Sequence, residues 1–260
     1  MDVRLCVHIP MHRYEVTRAG RWYARLMGNP AWCRERAEIL DRYTLPSLER
    51  QTHRDFDVLI TLQREQGRRN APIKAVAKAH GCDVLVRPYM TWEYPLAPNH
   101  HAYLCARYGA LDWLILLHLD SDDCYAEDVV KLLLAEPLSE GLMMWFAWGF
   151  LYSLKDGRMA RFGSDTGPQP FWAEVYSRAA LTDAGTLMAY RYKWRMECYH
   201  SEVARSPNNR RLTHRGRFCQ LIHGANATTA WADPNTAKKV GEFLDEERKR
   251  IALRHFGITP

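Results

Sequence analysis

Short apolar runs alternate with amphipathic stretches along the first half of the chain, and that alternation predicts its architecture. Val3–Ile9 is mostly apolar and stops at Pro10. Phe56–Leu62, Asp83–Arg87 and Trp113–Leu119 repeat the pattern, the last broken only by His118. Each has the length of a buried strand and is too short for a helix. Between them, Trp32–Tyr43 and Ile73–His80 carry apolar residues at helical spacing. Thr44-Leu-Pro-Ser47 offers a cap and a first-turn proline for a short helix to Gln51, and another helix runs to about Gly109. The order β-α-β-α-β-α-β predicts a largely parallel sheet with right-handed crossovers.

Beyond the fourth strand, Ala126–Glu136 reads as an amphipathic helix and Leu142–Tyr152 as an aromatic strand. The turn Lys155-Asp-Gly157 precedes Arg158–Phe162, a Gly/Pro/Ser/Asp loop spans 163–170, and Phe171–Tyr176 is a further strand. Arg178–Tyr190 reads as a helix, Phe218–His223 as a short strand, and Pro234 to about Phe256 as a closing helix. The expectation is one domain over 1–260 on one continuous sheet. Residues 1–123 are expected to form a nucleotide-binding half, 124–233 an acceptor half and 234–260 the C-terminal helix.

The fourth strand runs straight into Asp120, Asp122 and Asp123. Acids at the carboxyl end of a buried strand lie where open α/β sheets bind ligands. Three carboxylates so close repel one another unless a cation sits among them, and oxygen ligation suits Mg²⁺ or Mn²⁺. An EF-hand would need Gly and Glu where Tyr125 and Lys131 stand. An aspartyl phosphotransferase fits poorly, with Cys124 at its fifth position and the motif on the fourth strand. What is left is a D-x-D that holds a metal–diphosphate, set against a plain helix N-terminus with acids in its first turn. Pro10 and Arg13 after the first strand, Arg87 at the end of the third and Asp120 are the donor-contact candidates. There is no G-x-G-x-x-G, Walker loop, H-E-x-x-H or G-x-S-x-G, which removes the common dinucleotide, NTPase, zinc-protease and serine-hydrolase readings.

Composition changes this picture little. A formal charge of +6 and 47% apolar residues describe an ordinary globular protein that favours anionic partners. Seven scattered cysteines without a C-x-x-C argue for a reducing compartment, and the N-terminus lacks a signal-peptide layout, so a cytoplasmic location is expected. Arg191–Arg217, basic and interleaved with Tyr192, Trp194 and Tyr199, allows a nucleic-acid acceptor. Oligomeric state is not legible.

Four stretches carry a family likeness: Tyr43-Thr-Leu-Pro-Ser-Leu48 with Gln51-Thr52 and Phe56; His118-Leu-Asp-Ser-Asp-Asp123; Gln169-Pro-Phe-Trp172 with Ser177-Arg-Ala-Ala180; and His223-Gly-Ala-Asn226. Together they resemble a GT-A glycosyltransferase of the family 2 kind, and more narrowly the rhamnosyltransferase group. The resemblance implies a Rossmann-like, mostly parallel sheet flanked by helices, with a mixed C-terminal extension. It implies transfer of rhamnose or another hexose from a nucleoside diphosphate sugar to an acceptor hydroxyl, with Mn²⁺ or Mg²⁺. The alternatives are a viral-type transferase acting on modified DNA bases, or a non-catalytic nucleotide-sugar-binding protein. By the same resemblance Asp120 holds ribose or metal, Asp122 and Asp123 hold metal, His223 adds a late ligand, and Glu202 or Asp165 is the general base. The chain departs from the group after its first strand, where Ile9-Pro-Met-His-Arg13 replaces Arg-Phe-Asn.

Overall fold

The computed structural model describes residues 1–11, 30–87, 98–163, 171–186, 208–223, 231 and 237–259. The four apolar runs form β1 (Val3–Pro10), β2 (Asp57–Gln63), β3 (Asp83–Arg87) and β4 (Trp113–His118), mutually parallel in the order β4-β1-β2-β3. Helices α1 (Pro30–Ile39), α2 (Leu45–Glu49), α3 (Ala71–Ala79) and α4 (Pro98–Tyr108) connect them. From β1 the chain builds outward to β3, then returns to place β4 on the other side of β1. The carboxyl ends of β1 and β4 therefore flank the topological switch point, the usual ligand crevice of such sheets.

Thr44 does not start a new helix. Its backbone is helical (φ −67°, ψ −56°), and a π turn over Leu40–Thr44 joins α1 to α2. Pro46 explains the π turn, because a proline ring clashes with the carbonyl four residues back in a regular helix. The wider turn, with Leu45 N–H bonding Leu40 O, opens that space.

The second half differs from the sequence expectation in four places. The 142–152 run is two strands, β6 (Met143–Phe146) and β7 (Trp148–Ser153), which part at Ala147 into different sheets. The expected helix at Ala126 starts later, as α5 (Val129–Leu134), because β5 (Asp123–Tyr125) pairs with β11 (Phe218–Ile222) first. Near residue 178 the chain turns, and helical backbone begins only after Asp183, whose carboxylate accepts from Thr186 N–H at 2.7 Å. Before the closing helix α6 (Glu246–His255) lies β12 (Val240–Phe243); Asp245 caps α6 by accepting from Arg248 N–H.

Two mixed sheets result rather than one. The seven-stranded sheet runs β10-β6-β9-β4-β1-β2-β3, with β9 (Trp172–Ser177) antiparallel to both neighbours and β10 (Asn209–Leu212) parallel to β6. The five-stranded sheet runs β12-β8-β7-β11-β5, with β8 spanning Met159–Gly163. Aromatic rings bind the sheets together: Phe171 stacks on Phe218 at 3.9 Å, and Tyr125 lies edge-on to Phe171. Among the described residues six cysteines are free, four of them buried, and no helix is long and apolar enough to cross a membrane.

Candidate active site at the carboxyl edge of β4

The residues after β4 are held by a splint from α2. Thr44 Oγ1 donates to Ser121 O at 3.2 Å, and Tyr125 N–H donates to Ser47 Oγ. The Gln51 amide donates to Ala126 O at 2.7 Å, and its oxygen accepts from Val130 N–H at 3.0 Å in the first turn of α5. All three side chains are fully buried. The Thr-Leu-Pro-Ser…Gln stretch thus fixes the acidic loop by bonding backbone groups in the protein interior, where an unpaired one is costly.

Within that frame the three acids have different fates. Asp122 Oδ2 lies 2.6 Å from Arg36 Nη1 of α1 and 3.0 Å from His223 Nε2 just past β11. His223 Nδ1 is 3.6 Å from Glu35. Burial pulls the Asp122 carboxyl upward, but the Arg36 charge and the His223 hydrogen bond outweigh it and hold Asp122 below the ordinary carboxylate range. Asp120, the more exposed acid, takes its Oδ1 to within 3.1 Å of His118 Nε2. His118 is fixed in turn by stacking on Trp172, with centroids 5.0 Å apart.

Asp123 turns inward. Its Oδ1 accepts from Leu221 N–H at 3.2 Å, and its Oδ2 is buried with no hydrogen-bond partner among the described residues. Burial, reinforced by the charges of Asp122 and Asp120, pushes its carboxyl well above the ordinary range. A neutral acid fits that place.

The donor chemistry of Asp120, Asp122 and His223, hard oxygens with one imidazole, fits a hard divalent cation. The described residues do not gather three or more such ligands around one point. At Asp122 the neutralising charge is the Arg36 guanidinium, which also lies 3.5 Å from Ser121 Oγ and over the Trp32 ring. Sequence reasoning missed Arg36: one arginine on a helix face gives no signal until the fold lays α1 across the β4 edge.

The sequence model of the family described as "Putative rhamnosyl transferase" matches residues 21–233. The chain belongs to this family. The match takes in Arg36, the splint, the acidic loop and His223. No curated protein sequence matches this rhamnosyl transferase family member. Similar solved structures include S. aureus TarS 1–349, at 12% identity and a TM-score of 0.43, where 84% of the chain covers 60% of TarS. The same protein in complex with UDP is matched at 12% identity and a TM-score of 0.45, over 98% and 72% of the two chains. The glycosyltransferase GlyE of Streptococcus pneumoniae TIGR4 is matched at 12% identity and a TM-score of 0.37, over 100% and 61%. The chain thus spans 60–72% of TarS 1–349 and about three-fifths of GlyE.

The other sequence candidates divide by position. Pro10, buried at the end of β1, stands at the switch point beside the acids. Arg87 closes β3, with β1 and β2 between it and β4, about 14 Å away at ordinary strand spacing. Arg13, Glu202 and Asp165 lie outside the described residues. In the basic stretch, Arg210 pairs with Glu136 and Arg217 with Asp128, so these two serve the fold. Phe171 belongs to the inter-sheet core, whereas Trp172 stands beside the acids.

Proposed function

We propose that this chain transfers a hexose or deoxyhexose, with rhamnose as the first expectation, from a nucleoside diphosphate donor to an acceptor hydroxyl. The observation that carries the reading is the location of Asp120 and Asp122. Both follow the strand that flanks the switch point, and Asp122 is kept ionised by Arg36 and His223. Family membership supports the reaction class.

Asp120, Asp122 and His223 are the residues assigned to Mn²⁺ or Mg²⁺, which when bound would offset the charge developing on the leaving diphosphate. Arg36 lies beside them and adds a second positive charge for the same anion. Pro10 and Arg13 are assigned to the donor at the end of β1. If the transfer inverts, the acceptor hydroxyl must lose a proton, and Glu202, then Asp165, are the assigned bases.

The test is a panel of UDP-, GDP- and dTDP-sugars with Mn²⁺, measuring released nucleoside diphosphate for wild type and Asp122→Ala. Turnover of one donor, abolished in the variant, supports the reading and names the donor. Metal-dependent nucleotide binding without turnover points to a strict acceptor requirement. Neither binding nor turnover returns Asp120–Asp123 to a structural loop.

A further inference from the structure

Trp145 and Trp172 are directly opposed on the antiparallel strands β6 and β9. Their side chains therefore stand together on one face of the large sheet, about 5 Å apart at Cβ. Both are nine-tenths buried, with 4% and 8% of their surface exposed, yet neither indole Nε1–H has a hydrogen-bond partner among the described residues. A buried tryptophan ordinarily satisfies its N–H, and two adjacent failures call for a cause.

Their neighbours indicate one. His118 stacks on Trp172 with its plane 7° from parallel and holds Asp120 at 3.1 Å. On the other side, the Arg211 guanidinium of β10 lies 5.9 Å over Trp145. Arg211, Trp145, Trp172 and His118 thus form a row across four consecutive strands, β10-β6-β9-β4, ending at the site's more exposed acid. Met143 and Trp148 pack around the two indoles and make the patch apolar. An apolar aromatic surface with a few aimed polar groups is the usual composition of a small-molecule site.

We infer that Trp145 and Trp172 form a platform for a pyranose ring. Hydroxyl oxygens of the sugar accept from the two Nε1–H groups at the indole edges, since one face of each ring is already taken, by His118 and by Arg211. The inference rests on the transferase reading only for its choice of a saccharide; the orphaned donors and the aromatic row stand without it. The same chemistry would serve the sugar of the donor or that of the acceptor.

The test uses the full chain with ¹⁵N-labelled tryptophan, in which nine indole resonances are expected. Trp145→Phe and Trp172→Phe assign the two of interest. Should either fail to fold, replacing that tryptophan with 3-benzothienylalanine keeps the fused ring and deletes the same signal. Methyl glycosides of hexoses and 6-deoxyhexoses, UDP, GDP and dTDP alone, and the corresponding nucleotide sugars with Mn²⁺ are titrated separately.

A shift of both resonances with glycosides but not with free nucleotides supports an acceptor platform. A shift with nucleotide sugars alone supports a donor-sugar platform. In either case Trp145→Phe weakens saccharide binding about tenfold without changing nucleotide affinity. If nucleotides bind and no saccharide moves either resonance, the platform is overturned and the transferase reading stands. If glycosides move both and no nucleotide binds, the transferase reading fails and the platform stands.

Discussion

Arg36 reaches from the last turn of α1 to place its guanidinium 2.6 Å from the Asp122 carboxylate. The pair closes a gap between elements more than eighty residues apart in sequence and puts a positive charge inside the acidic loop. Removing one partner of a buried ion pair leaves the other uncompensated, which costs far more than the pair itself contributes.

Arg36→Gln should therefore destabilise the fold by about 3–5 kcal/mol in urea denaturation. Adding Asp122→Asn should recover most of the loss, because the stranded charge is then gone. A single variant as stable as wild type would show that Asp122 is solvated independently of Arg36.

Asp123 should behave unlike its neighbours. Its carboxyl is turned to Leu221 and pushed well above the ordinary range by burial. Asp123→Asn keeps the shape and removes the carboxyl whose charged form burial disfavours. It should change stability by no more than about 1 kcal/mol and retain nucleotide release from the donor. Loss of turnover equal to that of Asp122→Ala would place the Asp123 carboxylate in the chemistry.

Gln51→Leu should be costly although Gln51 lies outside the acidic loop. It would strand Val130 N–H in the interior and remove one of the two bonds to Ala126 O, which keeps Val129 N–H, for a loss of about 2 kcal/mol. Donor turnover should fall with it, since the loop carrying Asp120 and Asp122 loses its anchor. Denaturation midpoints and nucleotide release measured on the same preparation would check both effects.

His80 gives the fold a pH dependence remote from the site. Its Nδ1 lies 2.6 Å from Glu49 and its Nε2 2.9 Å from Asp41. Burial pulls its pKa down, but the two carboxylates overcome this and raise it above the ordinary value. Because the folded pKa is the higher one, the stabilisation is complete below about pH 6.5 and is lost as pH rises through the folded value. Both acids are half-exposed, so the effect should not exceed about 1 kcal/mol. Urea midpoints for wild type and His80→Asn should differ at pH 5.5 and converge by pH 8.5.

The sequence by itself determined the first half of the fold and the location of the site. Runs such as Val3–Ile9 and Trp113–Leu119 are buried on both faces, so their apolar character is continuous and readable. The acids after Leu119 necessarily fall at a carboxyl edge. The Thr44–Gln51 stretch was legible as a feature but not as a splint, because its hydroxyls and amide serve backbone groups some 80 residues away.

Tertiary structure decided the rest. The Leu142–Tyr152 run has one continuous pattern, and only pairing with β9 on one side of Ala147 and with β8 and β11 on the other splits it between two sheets. The separation of the three acids into an ionised Asp122, a histidine-held Asp120 and an inward Asp123 depends on Arg36, His118, His223 and Leu221. Sequence spacing places like charges together; which of them stays charged is set by the partners and the burial that the fold supplies.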